Sequence, residues 1–210
     1  MARILRGTRS TIEITLYSDG TPIDPTGSPT CTVVDAEGST VASGTATIVG
    51  GSSGRLTFVL DAASTAQVNV LTATWAGIVL GGNPAISLAT THEVVGEHLF
   101  TESQARAWDG AELANATAYP DAVILTARDR IADAFGDILG FAVGTRYARA
   151  VLSGDGSPEL EVPHQMVTTL RSAGIRTAGS QTLTPLSGDE IEDIVVDQTG
   201  MLVRETLGTW

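Results

Sequence analysis

Lysine is missing from this chain: all 12 basic side chains among its 210 residues are arginine. That absence excludes the G-x-x-x-x-G-K-[ST] phosphate loop, whose Lys reaches the phosphates. It excludes imine chemistry, which needs an ε-amine, and kinase chemistry on the usual plan. Cysteine is nearly missing as well. Cys31 stands alone, so there is no intrachain disulfide and no cysteine-based zinc site, a pattern that fits a reducing cytosol. Basic charge is scarce, with 24 Asp and Glu against 12 Arg and a net charge of −12. Wrapping nucleic acid by phosphate neutralisation requires the opposite balance, although a surface that DNA passes without sticking remains open. No long apolar run exists. The most apolar stretch, residues 68–89, is broken by Asn69, Gly77, Gly81, Gly82, Asn83 and Pro84, short of the roughly 20 residues a membrane span needs. MARILRGTRS at the N-terminus has three Arg and no apolar segment of signal-peptide length. The expectation is a soluble protein made inside the cell.

What is present is enough for a core. Hydrophobic residues make up 42% and charged residues 17%, a globular composition, and the length suits one or two domains. Composition changes near residue 100. Residues 1–100 are rich in Thr, Ser, Gly and Val and hold 4 Arg; residues 101–210 hold 8 Arg and 16 of the 24 acids. The reading is therefore an α+β chain with two domains, 1–100 and 101–210.

The first domain reads as strands and turns. Strands are expected at 11–17, 30–34, 45–49, 55–60, 68–79 and 86–95, with turn chemistry at Ser18-Asp19-Gly20-Thr21-Pro22, Asp35-Ala36-Glu37-Gly38 and Gly50-Gly51-Ser52-Ser53-Gly54. Residues 61–66 suggest one helical turn crossing between sheets. Short strands at this spacing predict an immunoglobulin-like β-sandwich. In the second domain, Thr101 with Gln104 forms a capping box, predicting a helix over 101–118. Pro120 opens a second helix over 120–139, ended by Gly140. On that helix Ile124, Ala127, Ile131, Ala134, Phe135 and Ile138 share an apolar seam, opposite an acidic stripe of Asp129, Asp133 and Asp137. Strands are then expected at 146–152, 159–162 and 166–175, and a hairpin from 194–196 and 201–203 around Asp197-Gln198-Thr199-Gly200.

The chemical motifs are weak. Gly50-Gly51-Ser52-Ser53-Gly54 matches G-x-S-x-G, but a nucleophile elbow needs a helix after it, and here a strand follows. His92-Glu93 with Glu97-His98 lacks H-E-x-x-H spacing; along a strand the two His would sit about 20 Å apart, so a solvated linker is the simpler reading. His164, after Pro163, reads as a turn residue. Asp155-Gly156 lacks the remaining acids of a calcium loop, and Asn115-Ala116-Thr117 is a glycosylation sequon, meaningful only in a secreted eukaryotic protein. Trp75, mid-strand among apolar residues, reads as core rather than as a sugar platform. No catalytic residue, metal ligand or cofactor is expected, and the chain does not read as an enzyme.

The order of pieces in the second half carries a resemblance. Ala127-Arg128-Asp129-Arg130-Ile131-Ala132-Asp133-Ala134-Phe135 is followed by Arg146-Tyr147-Ala148-Arg149, then by Leu152-Ser153-Gly154-Asp155-Gly156-Ser157-Pro158-Glu159-Leu160. Val162-Pro163-His164 and Val167-Thr168-Thr169-Leu170-Arg171 come next, and Val196 through Arg204 closes the series. This order resembles the head-to-tail adaptor, or connector, proteins of long-tailed bacteriophages over about the last 90 residues. The resemblance implies a structural virion protein of the neck, made in the host bacterial cytoplasm. It implies a ring, usually of twelve copies, joining the portal protein to stopper or tail-tube proteins while genomic DNA passes through. Residues 1–100 have no counterpart in the minimal adaptor and would decorate the ring. The family commonly adds a strand after the ending where this chain stops at Trp210, implying a shortened core or a strand completed by a neighbour. Asp129, Asp133 and Asp137 are then candidates for a channel lining that repels phosphates. Arg146 and Arg149 are candidates for a subunit interface, bridging to a neighbour's Glu159 and Glu161. The alternative is an Ig-like adhesion or carbohydrate-binding module; a hydrolase is third.

Overall fold

Alternation of β-branched and polar residues dictates the first ten elements. In β2 (Ser10–Thr15), Ile12 and Ile14 turn inward while Thr11, Glu13 and Thr15 face solvent, the period-2 pattern of a half-buried strand. A computed structural model describes residues 2–51, 53–108, 112–163, 167–176, 180, 182–197 and 201–204. Around β2 it places β1 (Ala2–Leu5), β3 (Tyr17–Ser18), β4 (Thr21–Pro22), β5 (Thr30–Val34), β6 (Thr40–Thr45), β7 (Thr47–Val49), β8 (Arg55–Leu60), β9 (Asn69–Ile78) and β10 (Ile86–Val95). The strands at 30–34, 55–60 and 86–95 match the sequence reading. β1 was not anticipated. The segment expected as one strand at 45–49 begins earlier, as β6, and resumes after Ala46 as β7.

Two sheets share one core. One has the order β1-β10-β9-β5-β6, the other β2-β8-β7, and β3 and β4 form a small hairpin. β1 runs parallel to β10, from Ala2 opposite His92 to Leu5 opposite Val95; the other pairings are antiparallel. Trp75, Cys31, Val33, Leu71 and Val94 from the first sheet meet Ile12, Leu56 and Leu60 from the second. Trp75 is fully buried, so it belongs to the core as its neighbours predicted. In β9 the alternation carries one extra residue: Gly77 takes φ +70° and returns Ile78 to the core, the conformation that Gly supplies at a bulge.

Residues 61–66 cross from one sheet to the other as a hydrogen-bonded turn rather than a helical one. The Asp61 carboxylate accepts from Ser64 N at 2.7 Å, and the buried Thr65 hydroxyl donates to the Thr8 carbonyl at 2.7 Å. Gly50-Gly51-Ser52-Ser53-Gly54 joins β7 to β8, strand to strand, so no elbow forms; Ser52 itself lies outside the described residues. Gly54 has φ +63°, and a Cβ there would strike the Leu16 carbonyl and lie 2.8 Å from Ile23 N.

Chain contacts divide into two compact units, Met1–Gly136 with Ala142–Tyr147, and Asp137–Phe141 with Ala148–Trp210. The composition change at residue 100 is therefore not where contacts divide. In the first unit, α1 (Glu102–Trp108) starts with the expected box: Thr101 N donates to Gln104 Oε1 at 2.8 Å and Gln104 N to Thr101 Oγ1 at 3.2 Å. Residues 109–111 lie outside the described residues, and 112–118, expected as helix, are turns. The Asn115 side chain accepts from Thr117 N and Ala118 N, both at 3.1 Å, and such a side-chain turn competes with helix. Arg106 fixes these turns, donating to the carbonyls of Leu113 and Tyr119 and to the carboxylates of Glu102 and Asp121. α2 (Asp121–Leu139) follows Pro120 and ends at Gly140, which has φ +77°, a left-handed helix terminus.

The second unit carries short elements: β11 (Glu159–Leu160), β12 (Gly174–Ile175), β13 (Thr184–Pro185), α3 (Gly188–Glu192), β14 (Ile194–Val196) and β15 (Leu202–Arg204). β14 and β15 pair antiparallel, as the hairpin reading required, and β11 adds to β15. Residues 198–200 of the connection, and His164, lie outside the described residues. Ser187 and Glu190 close a capping box on α3. Two expectations are corrected here. Residues 146–152 are not a strand, and of 166–175 only Gly174–Ile175 is; Met166 lies outside the described residues. Alternation within a segment makes no strand unless a neighbour accepts its backbone hydrogen bonds.

Candidate functional site

Glu93 is the polar residue that breaks the apolar end of β10, and the structure is built around it. Arg3 lies opposite it in the parallel register. Both side chains are nearly buried, at 6% and 8% exposure. Arg3 Nε donates to Glu93 Oε2 at 3.1 Å. Arg146, in the stretch after α2, approaches the same carboxylate with a forked pair: Nε to Oε1 at 2.6 Å and Nη2 to Oε2 at 2.7 Å. Asp133 of α2 closes the circuit, accepting from Arg3 and, at 3.2 Å, from Arg146. Arg3 Nη1 also donates to the Asp129 carbonyl at 2.9 Å.

Two guanidinium groups and two carboxylates thus neutralise each other. Burial works against the ionised forms of Glu93 and Asp133, but the hydrogen bonds and charges of Arg146 and Arg3 outweigh it and hold both carboxyls below their ordinary values. Arg146 is held protonated chiefly by its bond to Glu93. Beside this clamp, Arg128 is buried and donates to Asp129 Oδ1 at 2.9 and 2.8 Å. His98 lines the same shallow cleft; burial, then the Arg128 charge, lowers its pKa.

α2 therefore packs through a mixed strip, with Leu125, Asp129, Ala132 and Gly136 half-buried beside its two buried residues. Ile124 and Arg128 are the buried positions, while Val123, Ile131, Phe135 and Ile138 are 54%, 42%, 49% and 80% exposed. The amphipathic reading located the apolar seam correctly, but most of it faces outward. Asp129 and Asp133 are engaged with arginines of the same chain, and Asp137 is exposed without sharing in the clamp. Arg146, expected to reach a neighbour's acids, is committed to Glu93 and Asp133. Arg149, Glu159 and Glu161 are exposed residues of the second unit.

Segment 92–98 is not a solvated linker either. His92 is buried in β10. Trp75 Nε1 donates to Thr90 Oγ1 at 3.1 Å, and Thr90 Oγ1 lies 3.0 Å from His92 Nε2. His92 Nδ1, on the other side of the ring, is buried with no hydrogen-bond partner. Among the described residues, no group of three or more His, Cys, Asp or Glu is placed to hold a metal. Sequence reasoning missed Arg3 and took Glu93 only as part of the His92-Glu93 pattern in a solvated linker. The available signal was an acid directly before the apolar pair Val94-Val95 and an Arg within the short apolar segment Ala2-Arg3-Ile4-Leu5.

Compared with known proteins, the chain matches no family model, no curated sequence and no solved structure. No helix among the described residues is long and apolar enough to cross a membrane.

Proposed function

We propose that this chain is a structural subunit that assembles with copies of itself: a head-to-tail connector of a long-tailed phage, forming a ring, of about twelve copies by the resemblance, between portal and tail proteins. The observation that carries this reading is the outward apolar seam of α2. The helix contributes Asp133 to the clamp with Arg3, Glu93 and Arg146, and leaves Ile131, Phe135 and Ile138 of the seam, with Val123 beside it, exposed. Apolar surface of this kind on a clamped, well-defined helix marks a protein interface. The order of motifs over residues 127–204 supplies the connector assignment, and the net charge of −12 suits a conduit that does not hold its DNA. The sandwich is read as immunoglobulin-like, supported by two sheets of five and three strands and by the parallel pairing of β1 with β10. Its place would be the virion neck, after synthesis in the host cytoplasm.

Negative-stain electron microscopy of the purified full chain, alone and mixed with portal rings from the same phage genome, tests the reading. Rings stacked on portals are expected. A protein that stays monomeric and leaves portals bare overturns it.

A further inference from the structure

We propose that the two open edges of the five-stranded sheet pair between copies, residues 86–91 of β10 in one copy taking up β6 of the next as an antiparallel strand. This rests on reading the chain as a head-to-tail self-assembling subunit. β1 covers only His92–Val95 of β10. Of the six residues before them, Ile86 and Leu88–Thr91 pair with β9 on one side, and among the described residues no strand lies on the other. At the far end of the sheet, β6 has β5 on one side and, among the described residues, no strand beyond; Ser64 Oγ donates there to the Val41 carbonyl at 3.2 Å.

The two edges complement each other in four respects. Both are six residues long: Ile-Ser-Leu-Ala-Thr-Thr and Thr-Val-Ala-Ser-Gly-Thr. Neither carries a charge or a proline, the devices by which exposed edges usually avoid pairing. Their directions fit. β10 to β9, β9 to β5 and β5 to β6 are three antiparallel steps, so β6 runs opposite to β10. A neighbour set alongside by rotation about an axis along the strands then offers an antiparallel partner. Their side chains fit as well. On the core side, Ile86 and Leu88 stand opposite buried Ile78 and Trp75 yet remain 41% and 39% exposed. On the same side of β6 stand Ala42 and Gly44, opposite buried Val33 and Cys31. Large residues on one edge would meet small ones on the other. A foreign strand would satisfy one edge; a second copy satisfies both, and repetition closes a ring or grows a filament.

Cysteine cross-linking of the full chain tests this, alone and bound to portal rings. Ser43→Cys is combined in turn with Ser87→Cys, Ala89→Cys and Thr91→Cys, which scan the register. Within one copy the two strands are three spacings apart, about 14 Å, beyond the reach of a disulfide. Native Cys31 is fully buried, and burial pushes its thiol up to about 11, so it does not compete. At least one double variant is expected to give trimers and higher species on a non-reducing gel after mild oxidation, while each single variant stops at dimers. Double variants that fold with the wild-type melting midpoint and give no ladder in either condition overturn the pairing. A second variant, Ala89→Lys with Thr91→Lys, is expected to sediment as monomer at an unchanged midpoint; undiminished assembly overturns the proposal. Rings seen by microscopy without a ladder overturn edge pairing and leave the connector reading standing. A ladder from a protein that ignores portals supports the pairing and removes the connector reading.

Discussion

Glu93 is a buried acid held between two arginines from distant parts of the chain. Its carboxylate receives three hydrogen bonds from two arginines, so replacing it leaves those two guanidinium groups to share the partly exposed carboxylate of Asp133. Glu93→Gln is expected to cost about 3 kcal/mol, the usual range for breaking a buried pair, read as a lower urea midpoint. Its pH signature has a definite sign. Because Glu93 and Asp133 are held below their ordinary values, their stabilisation is complete above the unfolded carboxyl range, about pH 4.3. It is lost as pH falls through the lower folded values. His92 acts higher. Burial lowers its pKa, so the folded chain resists taking a proton that the unfolded chain takes near pH 6.5. Stability therefore falls as pH drops below about 6.5. His92→Gln should flatten the slope of the urea midpoint between about pH 6.5 and 5. Part of the slope should remain, since His98 is shifted the same way.

Among the elements, α2 separates two kinds of apolar residue that sequence periodicity treats alike. Ile124 is buried and Phe135 half exposed. Ile124→Ala should cost about 2–4 kcal/mol. Phe135→Ser should cost less than about 0.5 kcal/mol, the range of exposed substitutions, while weakening self-association in sedimentation velocity. Paired measurements of midpoint and sedimentation check both. Equal stability losses would show that the seam is packed. The β7–β8 turn offers a second contrast. Gly54→Ala forces a Cβ against the Leu16 carbonyl at a positive φ, whereas Gly50 has open space around it. Gly54→Ala should lower the melting midpoint clearly and Gly50→Ala should not, which assigns that glycine-rich segment to turn geometry.

For the whole molecule, the charge balance makes the clearest prediction. A chain of net −12 without a single Lys has no basic footprint for phosphates. Random duplex DNA is expected to give no anisotropy change at about 100 µM protein, the weak end of ordinary non-specific affinity. Binding at that concentration would contradict a surface built to let DNA pass. Neutralisation of Asp129 and Asp133 within the chain weakens the argument that α2 itself supplies the repulsion. Acidic residues outside the clamp, Asp137 among them, would have to do so.

The sequence by itself determined the elements whose signals are local. Alternation fixed β5, β8 and β10; Pro120 and Gly140 bounded α2; the Thr101–Gln104 box started α1; and the strands on either side of residues 197–201 paired as a hairpin. Each depends on residues within a few positions of one another, so backbone preference and side-chain period suffice. The tertiary structure alone decided which face of α2 turns inward, because that depends on Arg3 and Glu93, 126 and 36 positions before Asp129. It alone showed that Arg146 is used within the chain, that β1 joins β10 in parallel, and that residues 146–152 lack a strand partner. A charged residue reads the same in sequence whether it is solvated or clamped. Only its long-range partners, and the water they exclude, make the difference.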